Sequence, residues 1–223
     1  MQIPAREIRP ESPPVRSLGS LDPGSQELAV YGSALLNTDV SMFGSLTSLW
    51  LSGAPEQVCR TVGGMRSLRR LVVHDWRAAD LRPLSALASL QSLVITRSSR
   101  LKALAGIEHL KNLEILILFD NCGYKSINEL ADLSKLKTLC LEGGFSKLLQ
   151  LETFEPLSLL SNLERLRLAS VRVADKSLMP LRSLGNLREV FVAKTFAADQ
   201  LRGLAAALPL AKGEFLDSYR DAG

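Results

Sequence analysis

The sequence predicts an α/β solenoid in which a curved parallel β-sheet forms the concave side and short helices or 3-10 turns form the convex side. Two observations support this prediction. Leucine recurs at every third position and then alternates with other residues, as in LSALASLQSLVI at 84–95, which predicts a helical turn followed by a strand. This unit returns along almost the whole chain, and a unit this small buries its apolar face only by stacking on copies of itself.

The repeat unit is 21 to 27 residues long. The strand signature L-x-x-L-x-L occurs, for example, as LQSLVI at 90–95 and LEILIL at 113–118. The first apolar residues of the short strands are Leu28, Leu49, Leu71, Leu93, Leu116, Leu139, Leu166 and Val190. This pattern resembles the leucine-rich repeat proteins, in the class with repeats of about 22 residues that includes the internalins. The resemblance covers about residues 28 to 210 and implies the fold, whereas a fold does not define a function.

The chain divides into three parts. Residues 1–24 hold five of the ten prolines and no repeat, so we expect an extended or disordered N-terminal arm. This arm either covers the unpaired edge of the first strand or is simply disordered. Residues 25–210 are expected to form a solenoid of about eight turns. Residues 211–223 are expected to form a C-terminal cap and tail, with 213–216 as a candidate ninth strand.

Several segments between strands begin with residues that cap helices, so we expect short helices after them. The candidate caps are Asp80, Ser126 with Glu129 as a capping box, Asp175 and Asp199. One repeat is longer than the others, because 27 residues separate Leu139 from Leu166. We expect its excess residues, 143–156, to form a longer loop or an extra helical turn. That segment is either a tolerated insertion or a contact for a partner.

Leucine-rich repeat proteins often carry an asparagine after the strand, where its side chain bonds to the backbone of neighbouring turns. Here Asn121 occupies this position, five residues after a strand start, and the other repeats have replaced it. In the third repeat the replacement is Trp76, which we expect to fold inward rather than to stand at the surface. The resemblance therefore predicts one buried asparagine and leaves the bend of the other turns open.

Composition narrows the class of protein. Apolar residues make up 46% of the chain, but no apolar run reaches the roughly 18 to 20 residues of a membrane-spanning helix. The polar, proline-rich N-terminus has no apolar stretch that could serve as a secretory signal. We therefore expect no membrane insertion and a cytoplasmic location, with export without a cleaved signal as the alternative. The small self-contained solenoid suggests a bacterial protein.

The cysteines indicate the same compartment. Cys59, Cys122 and Cys140 are odd in number and have no metal-binding spacing, which argues against a disulfide framework and a zinc site. We expect three free thiols. Cys140 should be the most accessible to reagents, because it lies at an outward position of a strand.

The sequence gives no support for an enzyme, a cofactor or a metal site. His74 stands beside Asp75 and could act as a base with its orienting group, but no nucleophile can be assigned to it. His109 lies in a convex segment and is expected to be exposed. No phosphate-binding glycine loop occurs. The net charge of +4 comes without a dense basic run or interleaved aromatics, so we expect no nucleic-acid partner.

The candidate site follows from the alternation of the strands. In L-x-L the leucines point into the solenoid, so the residue between them and those one step before and after the leucines point to the concave face. This face is rich in apolar residues, which predicts a contiguous exposed patch that charged residues border. The predicted partner-binding residues are Tyr31, Trp50, Val72, His74, Val94, Ile115, Ile117, Phe119, Glu142, Arg165, Arg167 and Phe191.

We interpret the chain as a non-enzymatic module that binds a protein partner through its concave sheet. A bacterial immunity protein that neutralises a toxin, an adaptor and an effector all fit this interpretation. The alternatives are a nucleic-acid-binding solenoid and a self-associating structural protein, for example a homodimer. The arm could also cover the concave face. On this interpretation Ile117→Asp should weaken binding of the protein partner and leave the fold intact.

Overall fold

The computed structural model describes residues 10, 13–18, 22, 24–121, 123–144, 147–193 and 196–220. In this part of the chain, eight strands form one parallel sheet with the order β1-β2-β3-β4-β5-β6-β8-β10. Two further strands, β7 and β9, form a second sheet. The strands are β1 (Glu27–Tyr31), β2 (Ser48–Ala54), β3 (Arg70–Trp76), β4 (Ser92–Thr96), β5 (Ile115–Phe119), β6 (Thr138–Glu142), β7 (Leu149–Leu151), β8 (Arg165–Ala169), β9 (Val171–Val173) and β10 (Glu189–Val192).

The eight predicted strand starts lie opposite one another across the large sheet. Leu28 pairs with Leu49, and the same row continues through every strand to Val190. The leucines of this row and of the convex segments are buried in one continuous core. A row of identical side chains about 4.8 Å apart can pack without gaps from one turn to the next. The predicted leucine-rich repeat solenoid is therefore confirmed.

The chain returns from strand to strand mostly through 3-10 helices. These helices are Gly32–Leu35, Val40–Phe43, Arg82–Leu84, Ile107–His109, Asn128–Asp132, Glu155–Leu159 and Met179–Ser183. Short 3-10 turns suit the leucine step of three, because residues i and i+3 lie above one another in them. The described residues also form three α-helices: α1 (Glu56–Gly63), α2 (Ala198–Ala207) and α3 (Glu214–Arg220). Among the described residues no helix is both long and apolar enough to cross a membrane.

Three of the predicted caps bind backbone amides ahead of 3-10 helices rather than α-helices. Asp80 Oδ1 accepts from the amide of Arg82 at 3.1 Å, and Asp175 Oδ1 accepts from the amide of Ser177 at 3.0 Å. The expected capping box is only half formed: Ser126 accepts an amide hydrogen bond, whereas Glu129 Oε2 is buried without a partner in the described structure. These side chains thus stabilise turns of the kind that asparagine, aspartate and serine form with their own backbone.

The prediction for Asp199 was wrong in detail. It lies in the first turn of α2, and the N-cap is Ala197, whose side chain makes no capping bond. A carboxylate in the first turn still stabilises a helix through the helix dipole. Sequence reasoning also missed α1, which follows Pro55 and has no hydroxyl or carboxylate cap that would have marked it.

The long repeat contains a strand rather than a loop or an extra helical turn. Residues 149–151 form β7, which pairs in parallel with β9 of the next repeat. Gly143 lets the chain turn here, because a Cβ atom at this position would lie 2.3 Å from the backbone oxygen of Ser170. The alternating LQL of β7 buries both leucines and exposes Gln150. The insertion therefore extends the core with a second sheet.

Asparagine side chains link the repeats at two positions of the repeat unit. The predicted Asn121 is fully buried, accepts from the amide of Ser98 at 3.0 Å and donates to the carbonyls of Ile95 and Phe119. The second position, which we did not predict, lies four residues before the strand starts. There the Nδ2 atoms of Asn112, Asn162 and Asn186 each donate at 2.8 Å to a carbonyl of the preceding repeat.

Trp76 replaces asparagine by another route. Its side chain is fully buried, as predicted, and its Nε1 donates to the carbonyl of Asp80 at 3.0 Å. Its own carbonyl accepts from Ser98 Oγ. A large indole ring therefore fills the turn, and both the ring nitrogen and the backbone oxygen of this residue find partners, as buried polar groups require.

Both edges of the large sheet are capped by one residue each. Val15 of the arm bridges to Val30 of β1, and its amide and carbonyl bond to Ala29 and Tyr31 at 2.9 and 3.0 Å. Lys212 forms the corresponding bridge with β10. A single bridge blocks the edge against pairing with another chain without adding a strand.

The predicted ninth strand at 213–216 is wrong, because the chain turns into α3 after Lys212. Gly213 passes close over β10, where a Cβ atom would lie 2.1 Å from the oxygen of Val190. The backbone then leaves the sheet, and the amide of Asp217 bonds to the carbonyl of Gly213. The side chain of Phe215 and the tail at 221–223, which we expected to pack as a cap and to fray, lie outside the described residues.

Candidate interaction surface

The concave face carries three parallel columns of side chains, and the register of the sheet aligns them. The central column runs Trp50, Val72, Val94, Ile117, Cys140, Arg167 and Phe191. Ile115 and Arg165 lie in the column that precedes it along the strands. Tyr31, His74, Phe119 and Glu142 lie in the column that follows it. The twelve predicted site residues therefore share one face of one sheet.

The centre of this face is closed to water, contrary to the prediction of a contiguous exposed patch. Val72, Val94, Ile117 and Cys140 are each at most 1% exposed and form a cluster of their own, against which Trp50 and Ile115 pack. Strands about 4.8 Å apart leave no room for a water molecule between neighbouring side chains. The residues of this cluster form an apolar floor rather than a contact surface.

The burial of Cys140 also reverses its expected reactivity. The prediction that it is the most accessible thiol was wrong, because its side chain is fully buried. Burial raises the pKa of the Cys140 thiol to about 12 and that of the Cys59 thiol, which is buried as well, to about 11. Both are free thiols, and a protonated thiol is a poor nucleophile. Cys122 lies outside the described residues.

Aromatic side chains surround the apolar floor. Ten aromatic residues have described side chains, and five of these are not buried. Four of the five lie on the concave face, and they are Tyr31, Trp50, Phe119 and Phe191. Phe119 has 40% of its surface exposed. The partly exposed aromatic rings of the described residues are therefore concentrated on this face.

Charged side chains at one end of the face are held in fixed positions. Arg167 Nε bonds to Glu142 Oε2 at 3.0 Å, and its guanidinium carbon lies 4.4 Å from the centre of the Phe191 ring. Arg165 donates from Nε and Nη2 to Thr138 Oγ1 at 3.0 and 2.7 Å. A guanidinium that is held by a carboxylate and an aromatic ring loses little further freedom when a partner binds.

The other end of the face meets the N-terminal arm. Arg16 lies over the ring of Tyr31, at 4.5 Å from its centre. Pro10 of the arm lines a small cavity of about 90 Å³ together with Trp50 and Arg70. The described part of the arm therefore reaches the first three strands of the concave face. Phe119 and Phe191 lie on later strands, beyond these contacts.

His74 takes part in a hydrogen bond of the sheet surface. Its Nδ1 lies 2.8 Å from Thr96 Oγ1 on the next strand. The neighbouring Asp75 binds Arg77 at 2.8 Å instead of orienting the imidazole ring. The described residues include no group of three or more histidine, cysteine, aspartate or glutamate side chains that could hold a metal ion. The geometry therefore suits His74 to a contact role.

A pocket that sequence reasoning missed lies next to this face, where the chain turns away after the strands. It has a volume of about 580 Å³ and is lined by Ser52, Gly53, His74, Asp75, Arg97, Ser99, Lys102, Asp120, Gly123 and Lys147. The signal that could have revealed it is positional. Residues four after a strand start, such as Asp75, Arg97 and Asp120, are polar in several successive repeats.

Comparisons with known proteins support the fold. No protein-family model and no curated protein matches the sequence. Internalin C2 of Listeria monocytogenes is similar in structure, with 21% identity and a TM-score of 0.52 over 75% of this chain and 66% of that one. An internalin, inlF, from the same species has 17% identity and a TM-score of 0.53 over 79% of this chain and 57% of that one.

A third similar structure comes from a plant. It is the leucine-rich repeat ectodomain of the membrane receptor kinase GASSHO1/SCHENGEN3 of Arabidopsis thaliana, solved in complex with CASPARIAN STRIP INTEGRITY FACTOR 2. The identity is 21% and the TM-score 0.53, over 73% of this chain and 19% of that one. This chain therefore spans slightly less than two thirds of the internalin C2 structure and smaller shares of the other two. At these identities the likeness establishes the leucine-rich repeat fold.

Proposed function

Because the chain has the leucine-rich repeat fold, we propose that it is a non-enzymatic interaction module that binds a protein partner through its concave face. The observation that carries this proposal is the placement of the aromatic side chains. Four of the five described aromatics that are not buried lie on this one face. Leaving such rings in water forgoes the stabilisation that burial would give, whereas a partner that covers them gains it.

The surface has the layout of a binding site with a rigid base. Trp50 and Ile115 pack against the apolar floor, and the bonds of Arg167 and Arg165 fix the neighbouring cations. Aromatic and arginine side chains dominate the binding energy of protein interfaces. We therefore revise the contact set to Tyr31, Trp50, His74, Ile115, Phe119, Glu142, Arg165, Arg167 and Phe191, and assign Val72, Val94 and Ile117 to support.

The solved plant ectodomain gives a general precedent, since it was crystallised in complex with another factor. The biological role we propose is that of a bacterial immunity protein, an adaptor or an effector. A cytoplasmic location and a bacterial source are part of this proposal. What supports the location is the odd number of cysteines, which excludes a fully paired disulfide framework.

The test compares two exposed apolar residues on opposite sides of the molecule. Phe119 lies on the concave face, whereas Leu159 ends a convex 3-10 helix and is 63% exposed. Proteins are captured from a lysate of the source organism with the parent chain, Phe119→Ala and Leu159→Ala, and the partner is purified. Truncation of an interface anchor typically costs about 2 kcal/mol or more. We expect Phe119→Ala to weaken the purified complex at least about 30-fold and Leu159→Ala to leave it unchanged.

Other outcomes identify the alternatives. A parent dimer that Phe119→Ala converts to a monomer in sedimentation would indicate self-association. A captured nucleic acid whose retention falls steeply with salt would indicate a nucleic-acid-binding solenoid. Equal binding by all three chains would place the contact surface away from the concave face and would reject the proposal.

A further inference from the structure

The turns that follow the strands share an unusual backbone conformation. The residue four after the strand start has a positive φ in consecutive repeats: 76° for Gly53, 64° for Asp75, 57° for Arg97 and 55° for Asp120. Glycine, aspartate and asparagine tolerate this left-handed region, but a long side chain such as that of arginine rarely adopts it. We call this row of turns the carboxyl rim. Strained residues of this kind cluster at functional sites, so the arginine needs an explanation.

The pocket of about 580 Å³ described above is built on the carboxyl rim. Five successive repeats contribute to its lining, and its charged residues are Asp75, Arg97, Lys102, Asp120 and Lys147. Its volume lies in the range of sites that bind small molecules or short peptide segments. Ser52 and His74 belong both to this pocket and to the concave face. The pocket is therefore continuous with the proposed contact surface.

Two cations of this pocket, Arg97 and Lys102, are available to a ligand. Asp75 is neutralised by its ion pair with Arg77 at 2.7 Å. In the described part of the chain Arg97 makes no ion pair and its side chain no hydrogen bond, while Lys102 Nζ bonds only to the carbonyl of Ser99 at 3.2 Å. With Asp75 paired to Arg77, the two cations Arg97 and Lys102 outnumber Asp120, so the pocket has an excess of positive charge. A cleft with such an excess attracts anions.

The opposite rim, which precedes the strands, holds its cations differently. It too has a hollow, of about 630 Å³, whose charged residues are Glu114, Lys135, Lys137, Glu164 and Arg188. Lys137 Nζ binds Glu114 Oε2 at 2.8 Å, and this bond raises the pKa of the lysine. Lys135 Nζ bonds to Asn112 Oδ1 at 2.7 Å. Two of the three cations of that hollow thus bond to a side chain of the preceding repeat, whereas Arg97 and Lys102 have no acidic partner in the described part of the chain.

We propose that the pocket on the carboxyl rim binds an acidic peptide segment, with Arg97 and Lys102 as the residues that hold its carboxylates. The occupant is a segment of the protein that the concave face binds, so its biological identity rests on the proposed function. The segment reaches the pocket across Ser52 and His74. The unfavourable backbone of Arg97 is then the local cost of aiming a guanidinium group at the ligand.

The test uses the whole chain and short peptides, so it does not require the partner. Acetyl-Asp-Glu-Glu-Asp-amide and its uncharged analogue acetyl-Asn-Gln-Gln-Asn-amide are titrated at low salt and followed by the NMR signals of the Gly53 and Gly123 amides. We expect saturable shifts with the acidic peptide alone. Arg97→Asn removes the cation and suits a positive φ, so its fold should be preserved. It should weaken peptide binding about two- to fivefold, the usual range for one exposed ion pair.

Lys176→Asn is the matched control. Lys176 is also an exposed cation with a left-handed backbone, at φ 53°, but it does not line the pocket. It should leave the affinity for the peptide unchanged. Equal weakening by Lys176→Asn, equal binding of the uncharged peptide, or tighter binding of a ten-residue oligothymidylate at the same amides would each overturn the proposal. Retained peptide binding with an indifferent Phe119→Ala would instead reject the proposed function and leave the pocket standing.

Discussion

Replacing Ile117 by alanine tests whether the centre of the concave face is floor or surface. The side chain is 1% exposed and lies between Val94 and Cys140 on the neighbouring strands. Its truncation removes buried methyl groups and leaves a cavity, because the sheet backbone on both sides cannot collapse into the space. Substitutions of this kind cost about 2–5 kcal/mol. For a chain of this length, about 3 kcal/mol corresponds to a fall of about 6–12 °C in Tm.

The measurement is urea and thermal unfolding of the parent, Ile117→Ala and Ile117→Val, followed by circular dichroism. The valine variant loses one methyl group and should cost about 0.5–1.5 kcal/mol, so the two variants should form a graded series. By the same reasoning Ile117→Asp buries an unpaired charge and should prevent folding, contrary to the expectation from the sequence. An alanine variant that unfolds at the parent's denaturant midpoint would refute the assignment of this residue to a closed floor.

Three further predictions follow from the core and the buried polar groups. Asn121→Ala leaves buried backbone partners unsatisfied and should lower the free energy of unfolding by about 2–5 kcal/mol in denaturant titrations, whereas Asn112→Ala at the surface should cost about 1 kcal/mol; equal costs would contradict the difference in burial. Leu116→Ala should cost about 2–5 kcal/mol by the same titration, and a silent variant would disprove the inward register. The Cys140 thiol stays protonated in the folded chain above pH 9 but ionises on unfolding, because its folded pKa is raised. The contribution of this thiol to the free energy of unfolding is therefore complete below about pH 9 and is lost as the pH rises towards 12. Over this range the free energy of unfolding should fall by at most about 1.4 kcal/mol per pH unit. This slope should be absent from Cys140→Ala, and rapid alkylation of native Cys140 at pH 8 would contradict the burial.

The two proposals concern neighbouring parts of one surface and make separate demands on a partner. The concave face offers aromatic rings on a rigid base, and these rings bind an apolar partner surface of matching shape. The carboxyl rim offers cations, which increase the association rate of an acidic partner. Salt weakens this electrostatic attraction. A partner that uses both should therefore show a salt-dependent association rate and a dissociation rate that depends mainly on residues such as Phe119.

The sequence determined the fold because the leucine period is a local pattern that every repeat restates. Eight strand starts read from the spacing all lie in one row of the sheet. The same alternation placed the twelve site residues on one face, and the position of Trp76 in place of the asparagine made its inward packing predictable. The sequence-based assignment of secondary structure was wrong where a repeat departs from the common pattern. These places are β7 in the long repeat, α1 after Pro55 and α3 at the C-terminal end. At those places contacts with a neighbouring repeat, rather than local pattern, decide the conformation.

Tertiary structure alone decided which outward residues meet water. Alternation predicts the direction of a side chain, but its exposure depends on the side chains that pack beside it on neighbouring strands. Val94 and Phe119 both point to the concave side, and the first is fully buried while the second is 40% exposed. The pocket of the carboxyl rim is likewise a product of stacking, since residues about 22 positions apart line it together. Burial and ion pairing depend on residues that are close in space but distant in sequence, and the local sequence pattern does not identify those residues.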